Sequence, residues 1–476
     1  MKKGTLTRIV AFLICMLTVF FTVLIRGTMT GKRVMLFISV TLIVSALLFF
    51  LDRWSDKGAD IKGFLCRELK NKAKIIDIIA FALIVAMALI IRMFFLDFET
   101  EDGMAYFALW VNKFRELGIK TSLGANITDY SPLYTTVLTI LSLLPMKALT
   151  IVKIVPIVCD FVIGLVALLI YRFYKGDEAT ITGKVIIIFV TLLNPISVLN
   201  SAAWGQSDSA YACLLLLGLY YLSKVEKEGD KLSDVSVIMF ALAISIKLQA
   251  VFTLPVLLYF YMAKKRTAYS KGVKLSQFIW FPIVYFVSAI PMFLCGKTLK
   301  DIFSVYAQQT GEYNDTLTMR YYNFFTLIGD RLNESNFGGY FYYGMIMAVA
   351  VLFLIYYLSF RKEVTLDVSN LLLLSVVTVL TLNYFLPSMH ERYAYVAEVA
   401  IVILACLNKK YVIPSILTVV CTLSAYADYL TMGELRAVIP AYLVAIIRLF
   451  VLAYLIFDLI KKDKEPILEG PVCANS

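Results

Sequence analysis

Val235–Met262 reads VSVIMFALAISIKLQAVFTLPVLLYFYM, an apolar stretch with one charge, Lys247, near its middle. Basic loops flank it, SKVEKEGDKLSD (223–234) before and KKRTAYSKGVK (264–274) after. A helix crosses a bilayer in about 20 residues, so the stretch is too long for one crossing. One crossing would also put the two basic loops on opposite sides of a membrane and invert every later segment. The stretch is therefore read as two short helices that meet near the outer side around Ser245-Ile246-Lys247.

The rest of the chain sets the same frame. It has 476 residues, 60% hydrophobic and 17% charged, with a mean hydropathy of +0.81. A soluble domain has too much surface for its volume to hide that many apolar groups. Apolar runs recur at Ile9–Ile25, Val34–Leu51, Ile75–Ile91 and Ala437–Ile460. The expected fold is an all-α polytopic bundle of about 13–14 membrane helices. Three parts are expected: an N-terminal two-helix extension with a cytoplasmic loop (1–74), a catalytic core (75–407), and C-terminal helices with a cytoplasmic tail (408–476). Lys2, Lys3 and Arg8 before the first run resemble a signal peptide, but no small-residue cleavage site follows, so a retained span is expected.

The net charge of +11 is read as topology and not as nucleic-acid binding. The loops at 53–74, 172–184, 223–234, 264–274, 361–364 and 408–411, with the tail, hold about twice as many Lys and Arg as the other side, which makes them cytoplasmic. Ser131–Pro145, short and bounded by prolines, is then a partly inserted external helix. Arg92, Lys153 and Arg448 fall within spans. The eight cysteines are scattered without a CxxC pair and read as packing residues.

This map gathers the chemistry on the outer side. FLDFETEDGMAYFALWVNKFRELGIK contains an amphipathic helix (Phe107, Trp110 or Val111, Phe114, Leu117) that Gly118 can stop, suited to the headgroup region. Glu99, Glu101 and Asp102 at its start are helix-dipole partners or a general base at the membrane surface. Asp129-Tyr130 before Pro132 is a turn with Asp129 as N-cap, or a substrate contact. Asn200, Trp204, Gln206 and Asp208 surround Gly205; an aromatic face beside amides and carboxylates suits sugar binding, while Trp204 alone fits an aromatic belt. Lys247, with Gln249 beside it, snorkels or meets a lipid phosphate. In LPSMHERYAYVAE (386–398), His390 and Arg392 are donors for a phosphate, with Glu391 to orient them, or the three form an ion-pair cap. One histidine and scattered acids provide no metal-ligand spacing.

The order EDGMAYFALW, DYSPLY, LNPISVLNSAAWGQSDS, SIKLQA and LPSMHERYAYVAE resembles the bacterial relatives of the GPI second-mannose transferase, in the GT-C superfamily of membrane glycosyltransferases. The likeness covers about residues 95–405 and is most specific at WGQSD and MHERY. Those relatives often have tyrosine after the aspartate of the acidic motif, where this chain has Gly103. The resemblance implies a polyprenyl-phosphate sugar donor and inverting transfer of a hexose, mannose in that family, at the extracytoplasmic face of a prokaryotic cytoplasmic membrane. By the same resemblance Asp102, or Glu101 in its place, deprotonates an acceptor hydroxyl, and Lys247, His390 and Arg392 hold the donor phosphate. Trp204, Gln206 and Asp208 position sugar or acceptor, a role extended to Asp129, Tyr130, Gln249 and Glu391. A leaving group with one phosphate has less need of a divalent metal, and no cofactor is expected. The partners expected are the lipid-linked sugar, membrane lipids and a glycan, lipid or protein acceptor. The competing classes are a transporter of lipid-linked sugars and an envelope-assembly protein without a base.

Overall fold

The computed structural model describes residues 81–226, 230–263, 273–311, 316–328, 337–431 and 439–461. The expected two N-terminal spans, the expected cytoplasmic loop 53–74 and the boundary expected at residue 75 fall outside these. Helix α1 (Phe81–Phe94) leads to a long segment holding α2 (Ala108–Gly124) and α3 (Pro132–Leu141). Helix α4 (Ala148–Lys175) then runs away from that end, and α5 (Ile181–Leu192) returns and continues through a π-helical stretch, Leu199–Trp204. The alternation goes on through α6 (Asp208–Ser223), α7 (Lys231–Ile244), α8 (Leu254–Ala263) and α9 (Trp280–Leu294). After α10 (Leu299–Gly311) come α11 (Phe337–Arg361), α12 (Val368–Phe385), α13 (Tyr395–Leu407), α14 (Val412–Leu430) and α15 (Ala441–Lys461). Among the described residues seven helical segments are long and apolar enough to cross a bilayer, and the protein is an all-α polytopic membrane protein. Helices α14 and α15 share the core of the preceding helices, burying Val419, Leu423, Val451 and Leu455 in it.

Val235–Met262 is two helices. Asp230 caps the start of α7, accepting from the Leu232 N–H at 3.3 Å. The helix ends at Ser245, Lys247 is extended (φ −151°), and a 3-10 turn leads into α8. Gln277 bonds Ser233 (2.7 Å) and Trp280 bonds Asp234 (2.9 Å), so α9 begins beside the start of α7. The chain between them has gone out and come back. The Ser131 hydroxyl, at the start of α3, donates to the carbonyls of Ser245 (2.5 Å) and Ile246 (2.7 Å), groups that the helix break leaves open.

The polar groups thus divide between two ends. Arg172, Lys175, Lys184, Lys224, Arg361, Lys410 and Lys461 gather where α4, α6, α11 and α15 finish. Lys224 lies over Phe173 (5.8 Å) and Lys410 pairs with Asp458 (2.8 Å), which ties these termini together. The WGQSDS turn, Lys247 and the HERY segment lie at the opposite end. Helix α2 corrects one expectation. Phe107, Trp110, Val111 and Phe114 pack on Tyr134, Leu138, Ile151 and Val152 of the protein and are not open to headgroups, while Leu117 stays 41% exposed. Gly118 (φ 72°) does break the helix, in the left-handed region that favours glycine.

The three basic residues within spans all have partners, as low polarity demands. Lys153 donates to the carbonyls of Phe95 (2.7 Å) and Phe98 (2.7 Å), closing the end of α1. Arg448 stacks on Tyr321 (3.7 Å). Arg92 donates to Asp160 Oδ2 through Nε (3.0 Å) and Nη2 (2.7 Å), and that carboxylate also accepts from Ser201 (2.5 Å) and Tyr395 (3.3 Å). Asp160→Leu leaves the Arg92 charge buried and unpaired, at a cost of about 3–5 kcal/mol, visible as a lower thermal midpoint in detergent. Arg92→Met with Asp160→Leu should recover most of it. A double variant no more stable than the single one would shift the effect to Ser201 and Tyr395.

Candidate active site

Asp102 stands half-buried just before a short π-helix, Gly103–Phe107. Its Oδ2 accepts from Trp204 Nε1 (2.9 Å) and Gln206 Nε2 (3.0 Å), and its backbone N–H donates to the Tyr429 hydroxyl (3.2 Å). Two donors on one carboxylate oxygen fix its direction. Gly103 explains the departure from the tyrosine of the resembling proteins. Its N–H donates to Thr100 Oγ1 (3.1 Å), and a Cβ there would lie 2.8 Å from the same oxygen. Glu101 is exposed and does not line the cavity described below, so of the two acids Asp102 is the one at the site.

Gln206 joins this carboxylate to a cation. Its Oε1 accepts from Lys247 Nζ (3.4 Å) and from the Tyr130 hydroxyl (3.4 Å). Lys247 is bonded to Asp208, which also accepts from Asn200 Nδ2 (2.9 Å). Burial pushes the Lys247 pKa down and Asp208 opposes that. Asp208 is fully buried, so the expectation that it meets sugar hydroxyls is corrected: it is the counter-ion of Lys247.

Trp204 is corrected likewise. At 1% exposure it shows no face to a ligand. Its ring stacks on Tyr429 (4.1 Å, 19°), meets Tyr426 edge-on (5.4 Å), and the Arg392 guanidinium lies 5.1 Å from its centroid. What it contributes is the N–H to Asp102.

The HERY segment is held by backbone. Strand β1 (Thr318–Met319) pairs in parallel with β2 (Met389–His390), and the Glu391 N–H donates to the Met319 carbonyl (3.1 Å). Glu391 is buried against Arg392 (3.3 Å), and burial raises its pKa while Arg392 pulls it down. His390 packs on Tyr393 (4.9 Å). Burial, and then Arg392, Lys247 and Arg320, hold its pKa well below the ordinary value. The expected phosphate donors thus differ in position: Arg392 lines the cavity, whereas His390 and Glu391 do not.

A cavity of about 500 Å³ opens beside these groups. Asp102, Asp129, Tyr130, Gln206, Lys247, Gln249 and Arg392 are its polar lining residues. Val251, Phe252, Phe341, Met345 and Leu386 are among its apolar ones. Asp129 is not an N-cap; Ser131 holds that position on α3. Burial raises the Asp129 pKa and a backbone N–H partly offsets it. Sequence reasoning missed Tyr106, Phe341, Met345, Tyr393 and Tyr429. Tyr393 is adjacent to a recognised motif, but Phe341 and Tyr429 come from helices with no motif of their own. Among the described residues no three His, Cys, Asp or Glu side chains stand together as metal ligands. The arrangement can take an anion against Lys247 and Arg392 while a carboxylate accepts a proton nearby.

The model of glycosyltransferase family 87 matches residues 128–383, more than half of the chain. No curated protein matches. The matched residues contain Asp129, the WGQSDS turn and Lys247; Asp102 precedes them and His390–Arg392 follow. The His390 environment makes a pH prediction. Its folded pKa lies below the unfolded value of about 6.5, so on acidification the unfolded chain takes up the proton first. Stability present above that pH is lost toward pH 5, at up to roughly 1.4 kcal/mol per pH unit. Thermal unfolding in detergent should show this slope and a flatter one for His390→Gln; equal slopes would remove the neutral-imidazole assignment.

Proposed function

The chain belongs to glycosyltransferase family 87, and from that membership we propose that it moves a hexose from a polyprenyl-phosphate donor to an acceptor hydroxyl, with inversion. It is a membrane glycosyltransferase; the resemblance to bacterial relatives of the GPI second-mannose transferase, in the GT-C superfamily, makes mannose the sugar of this proposal. The site faces the extracytoplasmic side of a prokaryotic cytoplasmic membrane, opposite the basic loops. The observation that carries the reading is that Asp102 and Lys247 are bonded to the same side chain, Gln206, at a cavity lined also by apolar side chains. A phosphate with a prenyl chain needs both kinds of lining.

In the proposed step the acceptor oxygen attacks the anomeric carbon from the face opposite the phosphate, and the bond from that carbon to the phosphate oxygen breaks. Asp102 takes the hydroxyl proton as general base. Lys247 and Arg392 receive the leaving phosphate and stabilise the charge that develops on it. Asp129, Tyr130 and Gln249 contact sugar or acceptor from the cavity wall. Trp204 and Gln206 aim Asp102, Asp208 holds Lys247, and Glu391 with His390 supports Arg392. These cations can neutralise a single phosphate, and the proposal uses no metal.

The charged groups that line the cavity gather at one end of the bundle, which supports an enzyme over a carrier of lipid-linked sugars. A carboxylate aimed by two donors is also of little use to an assembly protein without catalysis. The test is a reconstituted assay with a panel of polyprenyl-phosphate sugars. Asp102→Asn should lower kcat about a hundred- to ten-thousand-fold with donor binding kept, while Lys247→Met and Arg392→Gln raise the donor KM. Consumption of no donor, or full turnover by Asp102→Asn, would end the proposal.

A further inference from the structure

A second cavity, of about 670 Å³, lies between α7 and α9 and is lined by apolar side chains including Ile244, Leu248, Phe286, Phe293, Leu299 and Phe303. Its two hydroxyls are engaged, Ser245 donating to the Ala241 carbonyl (2.8 Å) and Tyr285 to that of Ile302 (3.2 Å). Nothing inside it can hold a polar headgroup. Phe286, Val287 and Phe303 are 54%, 56% and 56% exposed, so the groove opens sideways, where a membrane protein meets lipid. Leu248 lines this groove and also the polar cavity, and it directly follows Lys247.

The turn that joins two of the groove's lining residues, Phe293 and Leu299, carries a cation. Between Phe293 and Leu299 the chain turns through Gly296 (φ 101°), and Lys297 follows. Lys297 is 8% exposed, and among the described residues its ammonium has no hydrogen bond or ion pair. Asp301 is occupied as the cap of α10, accepting from the Thr298 N–H (2.8 Å) and hydroxyl (2.6 Å). Burial works against the charge on Lys297 and Asp301 offsets this only in part, so an anion at this point would restore what desolvation removes.

We propose that the groove binds an anionic phospholipid, with one acyl chain between α7 and α9 and the phosphate on Lys297. The open side admits a lipid from the bilayer, and Leu248 is the residue that this groove shares with the polar cavity. A chain seated there packs against Leu248 and supports the turn that presents Lys247. This site is independent of the glycosyl-transfer reading, and its test does not use turnover.

Full-length protein in neutral detergent is titrated with phosphatidylglycerol and with phosphatidylcholine of the same acyl chains, and bound lipid is read by native mass spectrometry. Phosphatidylglycerol should bind more tightly. Lys297→Gln should weaken it about tenfold, the scale of one charged hydrogen bond, and leave phosphatidylcholine unchanged. Lys297→Arg should keep the preference, which separates loss of the phosphate contact from loss of the fold. Ile283→Trp, which crowds the groove, should weaken both lipids. Equal binding of the two lipids by the parent protein, or unchanged phosphatidylglycerol binding by Lys297→Gln, overturns the proposal. Displacement of phosphatidylglycerol by equimolar polyprenyl phosphate also overturns it, because the groove would then serve the donor.

Discussion

A lysine ammonium set among apolar helices must find a counter-charge, and Lys247 finds Asp208. The pairing requires the chain to stop being helical at Ser245, because a straight span would carry Lys247 into hydrocarbon. It also requires α6 to begin where α7 ends, so that the first residue of one helix meets the turn after the other. Helix α3 is drawn in by the same break, since Ser131 covers the carbonyls that it exposes. The cavity exists because three helix ends meet around one ion pair.

From that pair a chain of bonds runs outward. Lys247 reaches Gln206, Gln206 reaches Asp102, and Trp204 reaches the same Asp102 oxygen. Each member spends its bonding capacity on the next, so the carboxylate and the cation are held in register by one amide. A second support lies deeper. Asp160 bonds Arg92, Ser201 and Tyr395, which links the π-helix before Trp204 to the helix after Arg392. The two motifs that look unrelated along the chain are fastened through one buried carboxylate. Arg320, beside the β1–β2 pair, is in the left-handed region (φ 62°), a conformation that carries strain in a non-glycine residue.

The corrections share a cause. Trp204, Asp208 and His390 are residue types that bind sugars and phosphates, and WGQSDS and HERY do lie beside the cavity. Their partners were not readable, because a side chain's exposure depends on helices far away in the chain. Tyr429 takes one face of Trp204, and Arg392 approaches its ring. Lys247 takes Asp208. His390 is boxed in by its neighbours. Tyr429 and Phe341 left no local trace, since an aromatic residue in an apolar helix looks the same whether it faces lipid, core or a cavity.

Composition and charge by themselves determined the class of protein, the two-ended distribution of polar groups and the break at Ser245–Lys247. Those follow from how much apolar surface a chain must hide and from the cost of a charge in lipid, both sums over local residues. Which acid lines the cavity, which polar groups lie buried behind it, and that Lys297 is buried without a partner among the described residues were decided by the tertiary structure alone. Such facts depend on contacts between residues far apart in the chain, and helical spacing carries no information about them.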